Sequence, residues 1–300
     1  MAKVINPPEY NHVYLYLLGI AFMVLNKVRH GIMGYKTPRT FATTEIERSV
    51  DYCINVVNQH ELQLQKYTGT NNPFNRKKIL EIGPGPDLGT GFCMIAKGAL
   101  RYTALDKNKL VSQTPDIFYE VLLKKLKDFP NYVNAINAFK TFKRKTNNSI
   151  IKYIYDPEFK FKEIQDGSYD MLVTQAVLEH IDNIKCTFQK IKNKITPNGV
   201  LSNLVDASTH TRYIRDIDHC NLLRYSDFIY NMLKFDGSPN CLRASQYEKI
   251  FKELDYKNIN IVPNKITDSV YVNKLKAHIS PKLKDDDTLH ILSFYLLAST

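Results

Sequence analysis

A glycine-rich turn between two apolar strands is the feature that most constrains this chain. Residues 78–82 form an apolar run that contains Glu81, and a helix is expected to follow over 92–99. Between them stand four glycines, Gly83, Gly85, Gly89 and Gly91. Glycine tolerates positive φ and lets the backbone pass close to a ligand. A second apolar strand then ends in Asp106. The order strand, glycine turn, helix, strand, acid predicts a nucleotide-type half-site in an α/β sheet, with the acid placed for a ribose hydroxyl.

The spacing of the glycines separates two kinds of nucleotide. A dinucleotide fingerprint, G-x-G-x-x-G, would place its third glycine where Leu88 stands, and here the glycine comes one residue later. Glu81, two residues before the first glycine, is poorly suited to a pyrophosphate. A glutamate suits a ligand with a cationic end, such as the amino group of a methionine moiety. The pattern therefore favours a nucleoside that carries a cationic group over a dinucleotide.

A series of motifs across residues 78–206 resembles that of the class I S-adenosylmethionine-dependent methyltransferases. Residues 81–85 follow the family's E-x-G-x-G pattern, which departs from its usual form at Asp87. Residues 151–156, 167–181 and 191–206 match the later blocks in the family's order. The resemblance implies a Rossmann-like α/β fold with a seven-stranded sheet flanked by helices, and S-adenosyl-L-methionine as cofactor. It implies these cofactor-binding residues: Glu81, Gly83, Gly85, Asp106, Asp156 and Gln175.

The remaining segments predict how the chain is organised. Residues 1–76 are expected to form an N-terminal helical extension or lid, and 77–300 the methyltransferase domain. Residues 207–243 are expected to be an insertion after strand five that binds the acceptor. The apolar and aromatic runs at 258–262 and 289–297 predict a terminal antiparallel pair of strands.

The insertion is rich in arginine and aspartate. Residues 205–243 resemble a pattern found in bacterial methyltransferases encoded near polysaccharide genes. Arginine is the usual bidentate partner of phosphate, so the composition favours a polar or phosphorylated acceptor. The substrate-binding candidates are Arg212, Arg215, Arg224, Tyr225 and Arg243. The alternative is a surface lobe held by salt bridges. Three aspartates, Asp206, Asp216 and Asp218, could hold a metal, but their spacing requires none, so no metal is predicted.

Three histidines bear on catalysis. Methyl transfer to a hydroxyl needs a group that removes its proton, and histidine titrates in the right range. His210, after strand five, is the first candidate, with Asp206 expected to orient its ring. His219 and Asp218 are the next candidates. For His180, a structural role is at least as strongly indicated.

Charge and cysteine content restrict the class of partner and the compartment. The net charge of +11 could indicate an anionic partner, but the lysines are spread along the chain rather than clustered. A nucleic-acid partner is therefore not predicted. The five cysteines include no C-x-x-C pair and leave an odd one, which favours a reducing, cytoplasmic compartment without a zinc or disulfide framework. The oligomeric state stays open.

An apolar run near the N-terminus, 13–25, is the one segment that raises the question of a membrane. It is shorter than the ~20 residues that a membrane span requires, so no span is predicted. The favoured interpretation is an internal helix, packed on the core or over the active site. The alternative is a helix at a membrane surface, flanked by Lys27, Arg29 and His30.

The resemblance implies methyl transfer from S-adenosylmethionine to a small polar acceptor, with the oxygen of a sugar or sugar nucleotide as the leading expectation. One alternative is a nucleic-acid methyltransferase, suggested by the net charge and by N-P-P-E-Y at 6–10, although that motif precedes the fold. The other is a cofactor-binding subunit without catalytic activity that regulates a partner.

Overall fold

The computed structural model describes residues 2–8, 11–34, 43–144, 146 and 149–300, without the side chains of residues 43 and 44. The described chain forms two compact units. The first unit takes its residues from 1–36, 176–185 and 204–296, and the second from 37–175, 186–203 and 297–300. The N-P-P-E-Y motif at 6–10 lies partly outside the described residues.

Helices and strands alternate through most of the described chain. The helices are α1 (His12–Met33), α2 (Thr43–Thr68), α3 (Gly89–Ala96), α4 (Asp116–Lys125), α5 (Tyr132–Lys143), α6 (Ile184–Lys194), α7 (Arg212–Ile217), α8 (Asp227–Leu233), α9 (Ala244–Glu253), α10 (Ser269–Lys276) and α11 (Pro281–Lys284). The strands are β1 (Lys3–Ile5), β2 (Lys78–Ile82), β3 (Arg101–Asp106), β4 (Ile151–Tyr155), β5 (Tyr169–Gln175), β6 (Ile195–Asp206), β7 (Lys257–Thr267) and β8 (Ile291–Ser299).

The strands of the described residues form one mixed sheet in the order β1-β7-β8-β6-β5-β2-β3-β4. β2 pairs in parallel with β3 and β5, and β3 pairs in parallel with β4. The order β4-β3-β2-β5-β6 corresponds to the order 3-2-1-4-5 of a doubly wound nucleotide-binding sheet. β8 runs antiparallel to β6, because Ala207 donates to Leu292 and Thr300 donates to Gly199 through backbone hydrogen bonds. The predicted α/β class is therefore confirmed. β7 and β8 are neighbours in the sheet, and Thr267 donates to the carbonyl of His290 while Asn264 donates to Ser293, so these two strands run in opposite directions, as predicted for the C-terminal pair.

The predicted number of strands was wrong, because the sheet has eight strands rather than seven. The additional strand is β1, which pairs in parallel with β7 and sets Lys3 opposite Lys265. It lies in the segment that was predicted to be helical. With 3 residues, β1 is too short for the alternation of polar and apolar positions that indicates a strand.

Helix α2 belongs to the core of the second unit. Its residues Val50, Cys53, Val57 and Leu64 are fully buried there, at the three- and four-residue spacing of a single helix face. Helix α1, in contrast, belongs to the first unit. The segment predicted as one lid over 1–76 therefore contributes to both units, and its function as a lid stays a prediction.

Helix α1 is longer and more exposed than the sequence predicted. It has 22 residues, a mean hydropathy of 1.2 over an 18-residue window, and only 17% of that window is buried. By length and composition alone it could cross a membrane, so the prediction against a span no longer has its original basis. Only Leu15, Gly19 and Met23 are buried, hence the prediction of an internal helix was wrong for most of its surface. Gly19 allows the close contact that does exist, because a Cβ there would overlap the hydroxyl of Tyr225.

Candidate cofactor and acceptor sites

The glycine turn after β2 is tied to the end of β3. Gly83 and Gly85 have φ angles of 69° and 77°, a region that favours glycine. The N–H of Gly83 donates to the carbonyl of Leu105 at 2.8 Å. The N–H of Gly85 donates to Oδ2 of Asp106 at 3.3 Å. These bonds bring the backbone of the turn and the Asp106 carboxylate together, as the nucleotide half-site requires.

Asp106 is nearly buried and still has acceptor capacity. Its Oδ1 accepts a hydrogen bond from the N–H of Asn108 at 2.8 Å. Burial raises the pKa of Asp106 above its usual value, while the backbone N–H groups of Asn108 and Gly85 act in the opposite direction. A carboxylate offers about four lone-pair sites, so the two bonds leave room for a ribose hydroxyl. The cofactor role of Asp106 stays a prediction that this geometry favours.

A second carboxylate, Asp87, stands at the start of α3. Its Oδ1 accepts from the N–H of Gly89 at 2.8 Å and from the thiol of Cys53 at 3.3 Å, and its side chain is buried. The N-terminus of this helix is where a dinucleotide fold binds a pyrophosphate. A buried aspartate there takes one of the free backbone donors and adds negative charge. The position that departs from the family pattern therefore disfavours a diphosphate.

Glu81 makes its hydrogen bonds inside the second unit. The Thr90 hydroxyl donates to Glu81 Oε2 at 2.6 Å, and the Tyr102 hydroxyl donates to the same oxygen. Burial, together with the negative charge of Glu81, raises the pKa of Tyr102 well above its usual value. Gly91 makes this arrangement possible, since a Cβ there would overlap the Tyr102 ring. Contact between Glu81 and the cationic end of a cofactor stays a prediction.

Asp156 and Gln175 follow or end their strands as predicted. Asp156 comes directly after β4, and its Oδ2 accepts from the N–H of Phe161 at 2.7 Å, which closes the following turn. That contact accounts for the aspartate without a ligand. Gln175 is the last residue of β5, and its Oε1 lies 3.1 Å from Nε2 of His60. The cofactor roles of both residues stay predictions.

His60 holds Gln175 and was missed by the sequence analysis. It is fully buried on α2, with Nδ1 at 2.8 Å from the Ser202 hydroxyl. Because Gln175 Oε1 can only accept, Nε2 carries the proton and Nδ1 accepts from Ser202. Burial lowers the pKa of His60 to about 4, so the ring is neutral at pH 7. The helix period of α2 was the signal, since His60 lies on the same buried face as Val57 and Leu64.

Glu179 and His210 face each other in the first unit. Glu179 lies in a 3₁₀ turn after β5 and is 2% exposed, while His210 follows β6. Nε2 of His210 is 3.6 Å from Oε1 of Glu179, and Nδ1 is 2.9 Å from the carbonyl of Ser208. Burial lowers the pKa of His210, but Glu179 and then Asp206 raise it by more, so the net pKa lies above the usual value. The partner of the imidazole is thus Glu179, where Asp206 was expected. Asp206 itself bonds Ser208 and lies 3.6 Å from Arg215.

Asp218 and His219, the other catalytic candidates, are buried within the first unit. Asp218 accepts from Arg224 Nε at 2.7 Å, from Asn221 Nδ2 at 2.9 Å and from the Tyr271 hydroxyl at 2.5 Å. His219 is 3% exposed, and its Nδ1 lies 2.5 Å from the carbonyl of Arg215. These contacts give both residues a structural role and count against either one as the catalytic base. Their catalytic role stays a prediction.

The residues predicted to bind the acceptor divide into two groups. Arg224 pairs with Asp218, and the Tyr225 hydroxyl donates to the carbonyl of Tyr16 at 3.0 Å. Arg243 is fully buried and donates to the backbone carbonyls of Ala207, Leu289 and Ile291. These contacts hold the insertion in place and occupy the donors of Arg224 and Arg243, while Tyr225 also lines the cavity described next. Arg212 is exposed and remains available to an acceptor, whereas the half-buried Arg215 lies 3.6 Å from Asp206.

The insertion also forms a cavity. Residues 222–242 contribute most of the lining of a space of about 210 Å³, which is completed by Asp182, Gln246, Ser280, Lys282 and Leu283. Drug-sized ligands usually occupy cavities of about 300–1,000 Å³, so this one suits a smaller molecule. A second cavity of about 10 Å³ shares its lining with the first at 222–223 and 239–242, and Glu179 also lines it.

No protein-family model and no curated protein sequence matches this chain. Solved methyltransferase structures are similar to it at low identity. The CurJ carbon methyltransferase is 14% identical with a TM-score of 0.48, over 94% of this chain and 66% of that one. A protein assigned as an O-methyltransferase from Nostoc punctiforme is 14% identical with a TM-score of 0.48, over 95% and 69%. Phosphoethanolamine N-methyltransferase 2 of Haemonchus contortus, in complex with S-adenosyl-L-methionine, is 11% identical with a TM-score of 0.46, over 91% and 59%.

The neighbours thus include enzymes named as carbon, oxygen and nitrogen methyltransferases. This chain spans less than two thirds of the CurJ and Haemonchus chains. Identities and TM-scores this low carry no statement about the activity of this chain.

Proposed function

We propose that this protein is a cytoplasmic enzyme that transfers a methyl group from S-adenosyl-L-methionine to the oxygen of a small polar acceptor, such as a sugar or sugar nucleotide. The observation that carries the proposal is the pair of carboxylates at the glycine turn. Asp106 accepts from Gly85 and has capacity for a ribose hydroxyl, while Asp87 adds charge where a pyrophosphate would bind. A nucleoside with a cationic sulfonium and ammonium suits both carboxylates better than a dinucleotide does.

The first unit supplies groups suited to a small hydroxyl acceptor. The cavity of about 210 Å³ suits a small molecule in size, and its lining is partly polar and includes Lys234 and Lys282. Outside that lining, the exposed Arg212 is a further cation available to a phosphate on the acceptor. The imidazole of His210, oriented by its bond to Ser208, would take the hydroxyl proton on Nε2. As the acceptor oxygen bonds to the methyl carbon, the carbon–sulfur bond breaks and S-adenosylhomocysteine leaves.

Cofactor binding is tested first by isothermal titration calorimetry. S-adenosylmethionine should bind the wild-type protein and NAD should not. Asp106→Ala should weaken the binding of S-adenosylmethionine by about 1–3 kcal/mol, because a charged hydrogen bond is lost. Asp128→Ala removes an exposed carboxylate of equal charge and serves as the control. Tight binding of NAD, or equal affinity of wild type and Asp106→Ala, would overturn the cofactor assignment.

The acceptor is tested with labelled cofactor and pools of sugars and sugar nucleotides, analysed by mass spectrometry. Once an acceptor is found, His210→Ala should bind S-adenosylmethionine normally and lose about 10²–10⁴-fold in turnover, as expected when a positioned base is removed. Glu179→Gln should lower the pKa of His210, since the carboxylate that raises it is gone. The acid limb of the pH–rate profile should then move to lower pH. Full turnover by His210→Ala would place the base elsewhere.

A further inference from the structure

The Glu179 carboxylate is buried with its charge incompletely compensated. Its side chain is 2% exposed, and neither oxygen has a hydrogen-bond partner among the described residues. Within that part of the chain, the ion-pair partner found within 4.0 Å is His210, at 3.6 Å. A buried carboxylate is ordinarily paired, hydrogen-bonded or bound to a metal. The adjoining cavity of about 10 Å³ has room for one water at most, which could not neutralise the charge.

The two histidines beside Glu179 are both oriented for the same purpose. Nδ1 of His180 lies 2.6 Å from the carbonyl of Gly237, and Nδ1 of His210 lies 2.9 Å from the carbonyl of Ser208. A carbonyl can only accept, so each Nδ1 carries a proton and each neutral ring presents a lone pair at Nε2. This is the outer contact that metal-binding histidines make, because it fixes the tautomer and the ring direction.

The lone pair of His210 meets a second acceptor. In the neutral tautomer, Nε2 and Glu179 Oε1 are both acceptors, 3.6 Å apart. Two acceptors at this distance repel each other unless a positive charge joins them, and that charge is either a proton on the imidazole or a metal ion bound to both atoms. One ligand atom each of Glu179, His180 and His210 lies within 4.8 Å of the others. A metal ion would bind all three side chains, whereas a proton on His210 would join only His210 and Glu179.

We propose that Glu179, His180 and His210 bind one divalent transition-metal ion of the zinc type. Two imidazoles and one carboxylate are a ligand set of catalytic zinc sites, which leave a fourth position open. With metal–ligand bonds of about 2.0–2.1 Å, tetrahedral ligands lie about 3.3–3.4 Å apart. The His210–Glu179 distance of 3.6 Å is close to that value. His180 is exposed, and its Nδ1 bond to Gly237 leaves Nε2 as the ligand atom that completes the site.

The site does not depend on the proposed methyl transfer and can be measured without an acceptor. A bound ion would occupy the lone pair that His210 otherwise offers to a proton. His210 would therefore act as the base proposed above only in the metal-free protein, and in the metal-loaded protein the ion itself would acidify an acceptor oxygen at the open coordination position.

The test is a titration of the full-length, chelator-treated protein with Co²⁺, followed by its visible absorption, and with Zn²⁺ in competition. We expect one equivalent of Co²⁺ to bind saturably and to be displaced by Zn²⁺. Glu179→Gln and His180→Ala should each weaken binding by at least about 10–100-fold, the loss that follows removal of even an outer contact to a metal ligand. His290→Ala is the matched control, because its Nδ1 also meets a backbone carbonyl, that of Asp287, at 2.8 Å.

Two results would overturn the proposal. One is the absence of saturable binding to the wild-type protein, which would leave a protonated His210 as the partner of Glu179. The other is binding that His180→Ala leaves unchanged. That variant replaces an exposed side chain, so it keeps the proposal falsifiable if Glu179→Gln fails to fold. A thermal unfolding curve of each variant checks the fold, and titration with S-adenosylmethionine separates loss of the metal from loss of the cofactor.

Discussion

His60 should make the stability of this protein strongly dependent on pH between neutrality and pH 4. Its imidazole is fully buried between Ser202 and Gln175, and burial lowers its pKa from 6.5 to about 4. In the unfolded chain the same group titrates near 6.5. Between these two values the unfolded state binds more protons than the folded state. The free energy of unfolding therefore rises with pH in this window, and the stability is lost as pH falls from about 6.5 towards 4.

The magnitude follows from the two pKa values. Each pH unit between them is equivalent to about 1.4 kcal/mol, so the limiting loss is about 3 kcal/mol. The loss of stability is close to zero near pH 7 and about 2 kcal/mol at pH 5. This is a substantial part of the roughly 5–15 kcal/mol that stabilises a typical protein. A single buried histidine should thus contribute substantially to the acid sensitivity of the second unit.

The measurement is urea unfolding of wild type and His60→Gln at pH 7 and pH 5, followed by circular dichroism. Glutamine removes the titrating group, so the destabilisation caused by the substitution should be about 2 kcal/mol smaller at pH 5 than at pH 7. Ser202→Ala serves as the control, because it keeps the imidazole and should keep the wild-type dependence on pH. A wild-type-minus-variant difference that is the same at both pH values would refute the reasoning.

The remaining predictions concern the buried ion pair, the glycine turn and α1. Asp218→Asn should lower the free energy of unfolding by about 3–5 kcal/mol, because the buried Arg224 then lacks its ion-pair partner. Asp182→Asn, which removes the carboxylate of an exposed ion pair, should lower it by no more than about 1 kcal/mol. Equal losses of the two variants in urea unfolding would contradict this prediction. Gly91→Val should destabilise the protein by about 1–3 kcal/mol, since its side chain would overlap the Tyr102 ring, and an unchanged melting temperature would show that the ring can move. The exposed apolar face of α1 should make the full-length protein sediment with anionic vesicles in a salt-sensitive manner. Leu17→Glu should reduce the fraction of protein that sediments. A wild-type protein that stays in the supernatant at low salt would contradict binding of α1 to a membrane surface.

Local patterns predicted the strands and the nucleotide half-site because the deciding residues are close in sequence. β2, the glycine turn and Asp106 form within 78–106, and the backbone bonds of the turn join neighbours in that segment. β1 was not predicted because a strand of three residues is too short to show the alternation of polar and apolar positions. Its pairing with β7 depends on a distant part of the chain, so no local signal could reveal it.

His60 and Glu179 were missed for a different reason. His60 stood in the predicted N-terminal helical extension and Glu179 in the block at 167–181. What makes them site candidates is a partner far along the chain: Ser202 for His60 and His210 for Glu179. For His60, the helix period already indicated a polar side chain on a buried face, and a buried histidine needs partners. For Glu179, the pattern could not show that both oxygens would be enclosed.

The insertion shows why arginine-rich patterns are ambiguous. A guanidinium binds a phosphate, a carboxylate or backbone carbonyls through the same N–H donors. Arg243 and Arg224 therefore suggested an anion-binding site in the sequence, although both make structural contacts inside the protein. The distinction lies in burial, which depends on where Ala207, Leu289 and Asp218 are brought by the fold. Once those two arginines are assigned to the structure, the cations left for an acceptor in this group are the ones on α7. Recognition of an anionic acceptor should therefore be sensitive to charge reversal at Arg212, whose side chain is exposed, and the fold should be far less sensitive to that change.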